Sequence, residues 1–338
     1  MIKFALLGAG FIAQPHASAI KQIEGAQIVA VIDKIEEKGR KLAENCNAKY
    51  YNDLEEALKD TDIDCVDICV PTFLHEEMVL RAAAAGKHIL CEKPLALSLN
   101  EADNMIKAIK DNGVKAMVGH ALRFWPEYKK IREYIGSGIL GRPLQAFCQR
   151  LAVTPDWHQE KWGLSEKLGG GAALDLHIHD LDYLIWLFGR PSIVMAQGIY
   201  DPVNKEAGGL IHIGTTIEFN NKVMALAEAG WAFKGAFPFT MAIRILCENG
   251  TIEWIFKAGK NIEERSQKEG ITIYKEDGSI EILEAEKSDA FFLEISYLVD
   301  CIKNGRSIEN ATFEDGRASL ELALAAIKSA KEHCAVQL

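Results

Sequence analysis

The sequence predicts an α/β protein that combines a doubly wound parallel sheet with a second, α+β domain whose sheet is largely antiparallel. Over residues 1–119, short apolar runs alternate with amphipathic stretches, which is typical of βαβ units. After Arg123 the pattern changes, and β-rich runs follow one another with only short turns between them. We therefore expect two domains, residues 1–122 and residues 123–338.

The elements of the first domain follow from hydrophobic periodicity. Strands are predicted at 3–7, 27–33, 65–70, 88–91 and 115–118, and helices at 12–22, 36–45, 74–85 and 98–112. Because right-handed crossovers place helices on both faces of a parallel sheet, these elements predict a doubly wound sheet.

The elements of the second domain have a different order. Strands are predicted at 143–153, 192–200, 211–219, 223–232, 240–248 and 271–275, and helices at 126–136, 174–187, 289–303 and 313–333. Turn signals such as Asn220-Asn221 and Glu248-Asn249-Gly250 separate neighbouring strands. Strands joined by short turns pair antiparallel.

Composition and charge exclude several classes of protein. Hydrophobic residues are 49% and charged residues 25% of the chain, which is ordinary globular usage. The 38 Lys and Arg are outnumbered by 48 Asp and Glu, giving a net charge of −10, so we expect neither nucleic acid nor an anionic membrane surface as a partner. No apolar run is long enough to span a membrane, and the apolar start is interpreted as a buried strand rather than a signal peptide.

The eight cysteines are scattered along the chain. None forms a C-x-x-C pair, which argues against a zinc ribbon and a dithiol redox motif. Buried thiols in a reducing compartment are the simplest interpretation, so we expect a cytoplasmic protein without a metal.

A dinucleotide-binding motif follows the first predicted strand. Gly8-Ala9-Gly10-Phe11-Ile12-Ala13 fits G-x-G-x-x-A and opens the first predicted helix. Gly8 permits a tight turn, Gly10 lets the backbone approach a pyrophosphate, and Ala13 permits close packing of helix on strand. The helix N-terminus adds free N–H groups and the positive end of its dipole.

Asp33 ends the second predicted strand, twenty residues beyond Ala13. A carboxylate there binds the adenosine ribose hydroxyls and repels a 2′-phosphate, so the sequence favours NAD over NADP. Lys34 follows directly and softens that preference, which leaves NADP open. The alternative is that Asp33 is an ordinary turn residue at a strand end.

Glu92-Lys93-Pro94 follows a predicted parallel strand at the sheet edge where ligands bind in open α/β sheets. A lysine there can orient a hydroxyl or take part in proton transfer. A lysine beside a glutamate is also a common solvated pair, and that interpretation stays open.

A second candidate for catalysis begins at Gly169-Gly170-Gly171. On the helix predicted to follow, Asp175, His179 and Asp182 have i, i+4, i+7 spacing and share one face, while His177 lies off it. A carboxylate can hold an imidazole in one tautomer, and histidine can act as a base near neutral pH. The alternatives are a helix start with a satisfied buried histidine, or a metal site, for which a third spaced ligand is missing.

Several motifs together resemble a known family. They are Gly8–Ala13, Val70-Pro71-Thr72 with His75, Ala85-Gly86-Lys87-His88 leading to Glu92-Lys93-Pro94, Gly119 with Arg123-Phe124, Gly169–Asp182, and the final helix from Phe313 to Ala330. In these, nearly the whole chain resembles the glucose–fructose oxidoreductase, inositol dehydrogenase and MocA-like (Gfo/Idh/MocA) oxidoreductases.

The resemblance implies catalytic roles for Lys93, Asp175 and His179. His179 is expected to take the hydroxyl proton as a secondary alcohol is oxidised, Lys93 to hydrogen-bond the same oxygen, and Asp175 to orient the substrate or His179. The nicotinamide supplies the hydride chemistry itself. The cofactor cradle is expected to comprise Pro71, Thr72, His75 and Glu92 together with Gly8, Gly10, Phe11, Ile12, Asp33, Lys34 and Lys93.

The resemblance also implies a large open antiparallel sheet in the second domain, one face of which forms a homodimer or homotetramer. Ala225, Ala227 and Ala229 alternate with Leu226, Glu228 and Gly230, and we expect the face of small side chains to be the contact surface.

The chain departs from the family where many members read Asn-x-Arg-Arg-Phe. Here the sequence is His120-Ala121-Leu122-Arg123-Phe124, so one arginine is kept and the other is leucine. Candidate residues for a substrate pocket are His120, Arg123, Trp157, His158 and Trp162. The alternatives are ordinary packing for the tryptophans and an ion pair with Glu127 for Arg123.

Three functions are consistent with these observations. The first is an NAD-dependent dehydrogenase acting on a sugar, sugar derivative or cyclitol. The second is a redox-neutral lyase or glycosidase with tightly held NAD, and the third is a non-catalytic dinucleotide-binding regulator. The intact set of Lys93, Asp175 and His179 argues against the regulator, because a sensor needs no acid–base group.

Overall fold

The computed structural model describes residues 1–154, 162–201, 208–259 and 270–338. Two predicted pocket residues, Trp157 and His158, lie outside these ranges. The chain forms two compact units, one of residues 1–125 and 288–317, the other of residues 126–287 and 318–338. The sequence-based division at residue 123 did not anticipate that 288–317 return to the first unit, where Val118 N–H donates to the Ala311 carbonyl at 2.9 Å.

The first unit contains a parallel sheet of six strands in the order β3-β2-β1-β4-β5-β6. Its strands are β1 (Ile2–Leu7), β2 (Ala26–Ile32), β3 (Lys49–Tyr51), β4 (Cys65–Ile68), β5 (His88–Cys91) and β6 (Ala116–Val118). Its helices are α1 (Ala13–Gln22), α2 (Glu36–Cys46), α3 (Leu54–Asp60), α4 (His75–Ala84), α5 (Leu99–Asn112) and α9 (Ala290–Lys303). The predicted doubly wound sheet is confirmed. The short elements β3 and α3 were not predicted.

The strand register aligns the ends of five neighbouring strands. Leu7 at the end of β1 is paired with both Ile32 and Ile68, and Ile68 is paired with Cys91. Cys91 is in turn paired with Val118. The segments that follow these strands therefore all leave the sheet at one edge, which is where ligands bind in this architecture.

The second unit contains a sheet of nine strands in the order β14-β13-β12-β11-β7-β10-β9-β8-β15. Its strands are β7 (Pro143–Val153), β8 (Pro191–Tyr200), β9 (Leu210–Phe219), β10 (Met224–Phe233), β11 (Thr240–Cys247), β12 (Gly250–Lys257), β13 (Ile271–Lys275), β14 (Ile280–Leu283) and β15 (Val336–Gln337). Among the strands of the described residues, β7 and β10 are the one pair that is parallel, so the predicted, mostly antiparallel sheet is confirmed. The prediction missed β12, β14 and β15.

Helices cover one face of this sheet. The helices of the second unit are α6 (Pro126–Gly136), α7 (Gly171–Asp175), α8 (His177–Phe188) and the greater part of α10 (Phe313–Glu332). The core beneath them includes Ala229 and Trp231 of β10, packed with Ala172 and Leu176. Within the described ranges, no helix has both the length and the apolar character of a membrane span.

The alanine stripe of β10 faces this core, which corrects the prediction of a contact surface. Ala225, Ala227 and Ala229 are at most 1% exposed, and β10 packs against α7 and α8. The alternate position Leu226 lies on the opposite face and is 39% exposed. Alternation in the sequence separates the two faces of a strand but does not say which of them is covered.

Candidate active site

The turn after β1 has the backbone of a dinucleotide-binding loop. Gly8 has φ +105°, and a Cβ there would lie 2.5 Å from the carbonyl oxygen of Cys69, so only glycine fits. A Cβ at Gly10 would meet nothing within 4 Å, which leaves the backbone open to a ligand. Ala13 is fully buried where α1 packs on the sheet. The residues present fit a bound dinucleotide.

Asp33 directly follows β2 and is tied to this turn. Its Oδ2 accepts a hydrogen bond from Ala9 N–H at 2.6 Å, and its Oδ1 accepts one from Ile35 N–H at 2.6 Å. The Tyr50 hydroxyl donates to the Asp33 carbonyl at 3.1 Å. The carboxylate is thus both a local turn residue and a fixed acceptor, and each oxygen retains a lone pair for a ribose hydroxyl.

The side chain of Lys34 forms an ion pair with a carboxylate. Its Nζ lies 3.7 Å from Asp53 Oδ2, and Asp53 also receives Arg81 Nη2 at 3.0 Å. Asp53 therefore partly offsets the positive charge of Lys34, and Asp33 adds a negative charge at the end of β2. This arrangement is unfavourable for a 2′-phosphate and agrees with the preference for NAD.

Replacing Asp33 with alanine is expected to weaken NAD binding by roughly 10–100-fold, because a charged acceptor is lost, and to relax discrimination against NADP. The measurement is the ratio of kcat/KM for the two cofactors. Asp62→Ala is the matched control, because Asp62 is exposed and pairs with Lys3 at 2.5 Å. An unchanged ratio in Asp33→Ala would contradict the assignment.

Lys93 lies in the segment that follows β5. Its backbone N–H donates to Glu92 Oε2 at 3.1 Å, and its peptide bond to Pro94 is cis. The buried ring of His75 has one nitrogen 3.0 Å from the Pro94 carbonyl oxygen and the other 3.0 Å from that of Val70. Burial lowers the pKa of His75, and the hydrogen bonds to the carbonyls of Val70, Leu95 and Pro94 oppose this shift only in part. Glu92 and His75 thus hold the segment that carries Lys93.

Arg123 and His120 follow β6 and are both buried. Arg123 Nη1 lies 2.9 Å from Asp315 Oδ2, so Asp315 of α10 is an ion-pair partner of Arg123, where the sequence had left Glu127 open as one. Trp162 begins a short helical turn in the other unit. A Cβ at Gly169 would lie 2.8 Å from the carbonyl oxygen of Trp162. Trp162 therefore lies beside the start of the triple-glycine segment.

The predicted helix over 174–187 is two helices. Asp175 ends α7, His179 lies in the first turn of α8, and Leu176 between them has φ −106° and ψ −49°. The predicted single continuous helix is therefore wrong, and the common face of Asp175 and His179 stays a prediction. Gly171 has φ +67°, and a Cβ there would lie 2.7 Å from the Leu210 carbonyl, so the glycines allow α7 to approach β9 closely.

His177 has a structural role. It is fully buried, and its Nε2 lies 3.0 Å from the Thr215 hydroxyl oxygen on β9. The Thr215 hydroxyl donates to the Ala227 carbonyl at 3.2 Å, so it accepts from the imidazole. Burial, with nearby His212 and Arg150, lowers the pKa of His177 to about 3, which keeps the ring neutral.

A buried ion pair next to His179 was not predicted. Arg150 of β7 makes a bidentate contact with Asp180 of α8, with Nε–Oδ2 at 3.0 Å and Nη2–Oδ1 at 3.1 Å. Arg150 also donates to the Tyr128 hydroxyl at 3.2 Å. The signal was present in the sequence, because strand alternation places Arg150 on the same face as the core residues Ala146 and Cys148.

The fold and these groups define a two-domain, dinucleotide-binding oxidoreductase. Residues 2–120 match the family model described as the NAD-binding Rossmann fold of an oxidoreductase family, and residues 132–338 match its C-terminal alpha/beta domain. The chain belongs to the Gfo/Idh/MocA oxidoreductase family, which confirms the resemblance seen in the sequence.

Relatives in this family have several activities. The scyllo-inositol 2-dehydrogenase (NAD(+)) of Bacillus subtilis is 29% identical over 348 residues, covering 100% of this chain and 96% of the relative. A 2,7-anhydro-N-acetylneuraminate hydratase of Mediterraneibacter gnavus is 29% identical over 248 residues. That match covers 69% of this chain but 62% of the hydratase, less than two thirds of its length.

Solved structures share the complete fold. The aldose-aldose oxidoreductase of Caulobacter crescentus, crystallised with glycerol, has a TM-score of 0.86 and covers 100% of this chain and 99% of its own. Its sequence identity is 24%, so the likeness shows the fold alone.

Proposed function

We propose that this protein is an NAD-dependent dehydrogenase that oxidises a secondary alcohol of a sugar, sugar derivative or cyclitol. One observation carries the proposal. Leu7, Ile68 and Cys91 are in register, so the dinucleotide turn and the Lys93 segment leave the same edge of the parallel sheet. A cationic side chain at that edge suits an alcohol bound beside a nicotinamide.

The proposed chemistry divides between an acid–base group and an orienting group. The bound nicotinamide supplies hydride transfer. His179 takes the proton of the substrate hydroxyl, and Lys93 donates a hydrogen bond to the same oxygen. Asp175 orients the substrate or His179. The anchored α8 supports this role for His179, because the Arg150–Asp180 pair fixes the residue next to it.

A relative supports the substrate class. The Bacillus subtilis protein that matches the whole of this chain is named for a cyclitol and for NAD(+). A cyclitol is a polyhydroxylated substrate with secondary alcohols.

The second candidate is a redox-neutral reaction in which NAD stays bound and the substrate is oxidised only transiently. The observation that favours it is the Mediterraneibacter gnavus relative, which is named as a hydratase. Such an enzyme returns its cofactor to the starting state and releases no NADH.

A substrate panel separates the two candidates. Purified protein is mixed with NAD or NADP and cyclitols, aldoses, anhydrosugars or nucleotide sugars, and the absorbance of reduced cofactor is followed. Steady NADH formation with one group is the expected result. Substrate conversion without NADH, by protein that retains NAD on purification, would favour the redox-neutral reaction.

We also propose a homodimer or homotetramer formed through the open face of the large sheet. Leu226, Leu246 and Ile255 are exposed on this face, and an exposed apolar patch of this kind is typical of a contact surface. Leu226→Glu is expected to shift the protein towards monomer in sedimentation velocity. Leu80→Glu, at an exposed leucine of α4 in the other unit, is the control. A monomeric wild-type protein would contradict the proposal.

The proposed location is the cytoplasm. All eight cysteines are free thiols, which suits a reducing compartment. Recovery of the protein outside the cytoplasmic fraction of its cell would contradict this location.

A further inference from the structure

A buried histidine lies between the dinucleotide turn and the segment that carries Lys93. His16 is on α1, is fully buried, and has Nδ1 2.9 and 3.1 Å from the two carboxylate oxygens of Asp67 on β4. Its Nε2 lies 3.1 Å from Glu92 Oε1, a charge contact that does not have hydrogen-bond geometry. A neutral imidazole has a single N–H, and with that N–H on Nδ1 for Asp67 the lone pair of Nε2 would face the Glu92 carboxylate. An imidazolium instead places a positive charge between the two carboxylates.

The charges of the neighbouring groups also favour the imidazolium form of His16. Burial lowers the pKa of His16, but the charge of Asp67 and its hydrogen bond to the ring oppose burial, and the pKa lies well above its ordinary value. Burial raises the pKa of Glu92, but His16 and Lys93 outweigh it and leave that pKa below its ordinary value. The buried carboxylate therefore depends on the imidazolium for its charge balance.

Glu92 passes this constraint to Lys93. Its Oε2 accepts the Lys93 backbone N–H at 3.1 Å, while Oε1 lies 2.7 Å from the position of a Cβ at Gly119. The carboxylate is thus held by His16, by the backbone of Lys93 and by the close approach of Gly119. A substitution at His16 directly removes a contact of Glu92, and it affects Lys93 through Glu92.

We propose that His16 is a positioning residue for Lys93: as an imidazolium between Asp67 and Glu92, it sets the Lys93 segment relative to the helix that opens the dinucleotide site. This inference rests on the proposed function of Lys93. It assigns His16 no contact with substrate or cofactor.

The remaining groups around His16 do not replace this linkage. Cys69 Sγ lies 3.7 Å from His16 Nδ1, and burial raises the pKa of the thiol, so it is uncharged. Glu294 of α9 is fully buried, and its carboxyl oxygens have no hydrogen-bond partner within the described ranges. Burial, followed by the charge of Glu92, raises the pKa of Glu294 well above its usual range, so it is neutral. Phe291 covers the imidazole at a ring separation of 5.3 Å.

A metal site formed by the same side chains is the competing interpretation. Donor atoms of His16, Asp67 and Cys69 lie within 4.8 Å of one another, close enough to share a metal ion. A doubly protonated imidazole has no lone pair for a metal, so the two states exclude each other. Metal content therefore tests the proposal.

The test compares His16→Gln with Glu294→Gln in the full-length protein. His16→Gln is expected to lower kcat by about 10²-fold, the typical effect of misplacing a reacting group by about 1 Å, with a much smaller change in NAD affinity. Amide hydrogen exchange is expected to accelerate at residues 92, 93 and 95, which flank or include Lys93, and to stay unchanged in β2. Glu294→Gln replaces one neutral group with another and is expected to match wild type in all these measurements.

A double variant separates linkage from independent damage. Glu92→Gln in the His16→Gln background is expected to lower kcat little further, because both residues act through one contact. Additive losses, or faster exchange throughout the sheet, would overturn the proposal in favour of general destabilisation. Nitrogen NMR of the wild-type histidines is expected to show His16 doubly protonated at neutral pH, and stoichiometric bound zinc would overturn this.

The hydrogen-exchange and NMR measurements test the role of His16 even if the protein is not a dehydrogenase. A wild-type protein without dehydrogenase activity would remove the assignment of Lys93. The exchange and NMR results would still decide whether His16 holds the segment in place.

Discussion

Lys93→Ala and His179→Ala are each expected to lower kcat by about 10²–10⁴-fold while leaving NAD affinity close to that of wild type. The reason is that each removes a group proposed to act on the substrate oxygen, whereas the dinucleotide turn and Asp33 stay intact. The measurements are steady-state kinetics with the substrate found in the panel, and NAD titration by intrinsic fluorescence.

The control variants remove a lysine and a histidine side chain at exposed positions. Lys59→Ala and His333→Asn alter a lysine of α3 and a histidine near the C-terminus, and both are expected to keep wild-type rates. Asparagine is used at His333 because that residue has φ +54°, which asparagine tolerates. Wild-type turnover in Lys93→Ala or His179→Ala would contradict the role assigned to that residue.

Arg150→Met is expected to lower the free energy of unfolding by about 3–5 kcal/mol, because it leaves the carboxylate of Asp180 buried without its partner. Arg150 is 3% exposed and Asp180 is fully buried, so little water can compensate. The pKa of Arg150 is raised because the charge of Asp180 outweighs burial, whereas burial outweighs Arg150 and raises the pKa of Asp180. The bidentate geometry, which matches a guanidinium and a carboxylate, indicates that the pair is ionised. The measurement is the urea dependence of unfolding.

Arg244→Met is the matched control for this stability effect. Arg244 lies on the neighbouring strand β11, is 53% exposed, and has Nη1 3.9 Å from Glu253 Oε1. A contact of this kind contributes about 0–1 kcal/mol, so the control is expected to change stability little. The double variant Arg150→Met with Asp180→Leu is expected to recover much of the loss, since no charge is then left unpaired. Equal losses for Arg150→Met and Arg244→Met would contradict the account.

The sequence predicted the two sheets because strand and helix periodicities are local properties of the chain. It did not predict β3, whose three residues are too few for a periodic signal, nor the return of residues 288–317 to the first unit. Periodicity indicates which side chains are buried, but it does not identify the unit against which they pack.

The same limit applies to the candidate site. The backbone requirement at Gly8 and the position of Asp33 could be predicted, because both depend on neighbours within one βαβ unit. The contacts of His16 with Glu92 and of Arg150 with Asp180 join elements far apart in the chain. The sequence signals only that a polar residue occupies a core position and requires a partner, which the fold must identify.

The central claim is that an alcohol carbon of the substrate gives its hydrogen to NAD. The most direct measurement uses a polyol from the panel, deuterated at the reacting carbon, with wild-type protein and NAD, followed by NMR. The account predicts deuterium in the nicotinamide ring of released NADH, in step with formation of the ketone. Deuterium found only in a rearranged or hydrated sugar, with no NADH released, would contradict the dehydrogenase and support the redox-neutral reaction.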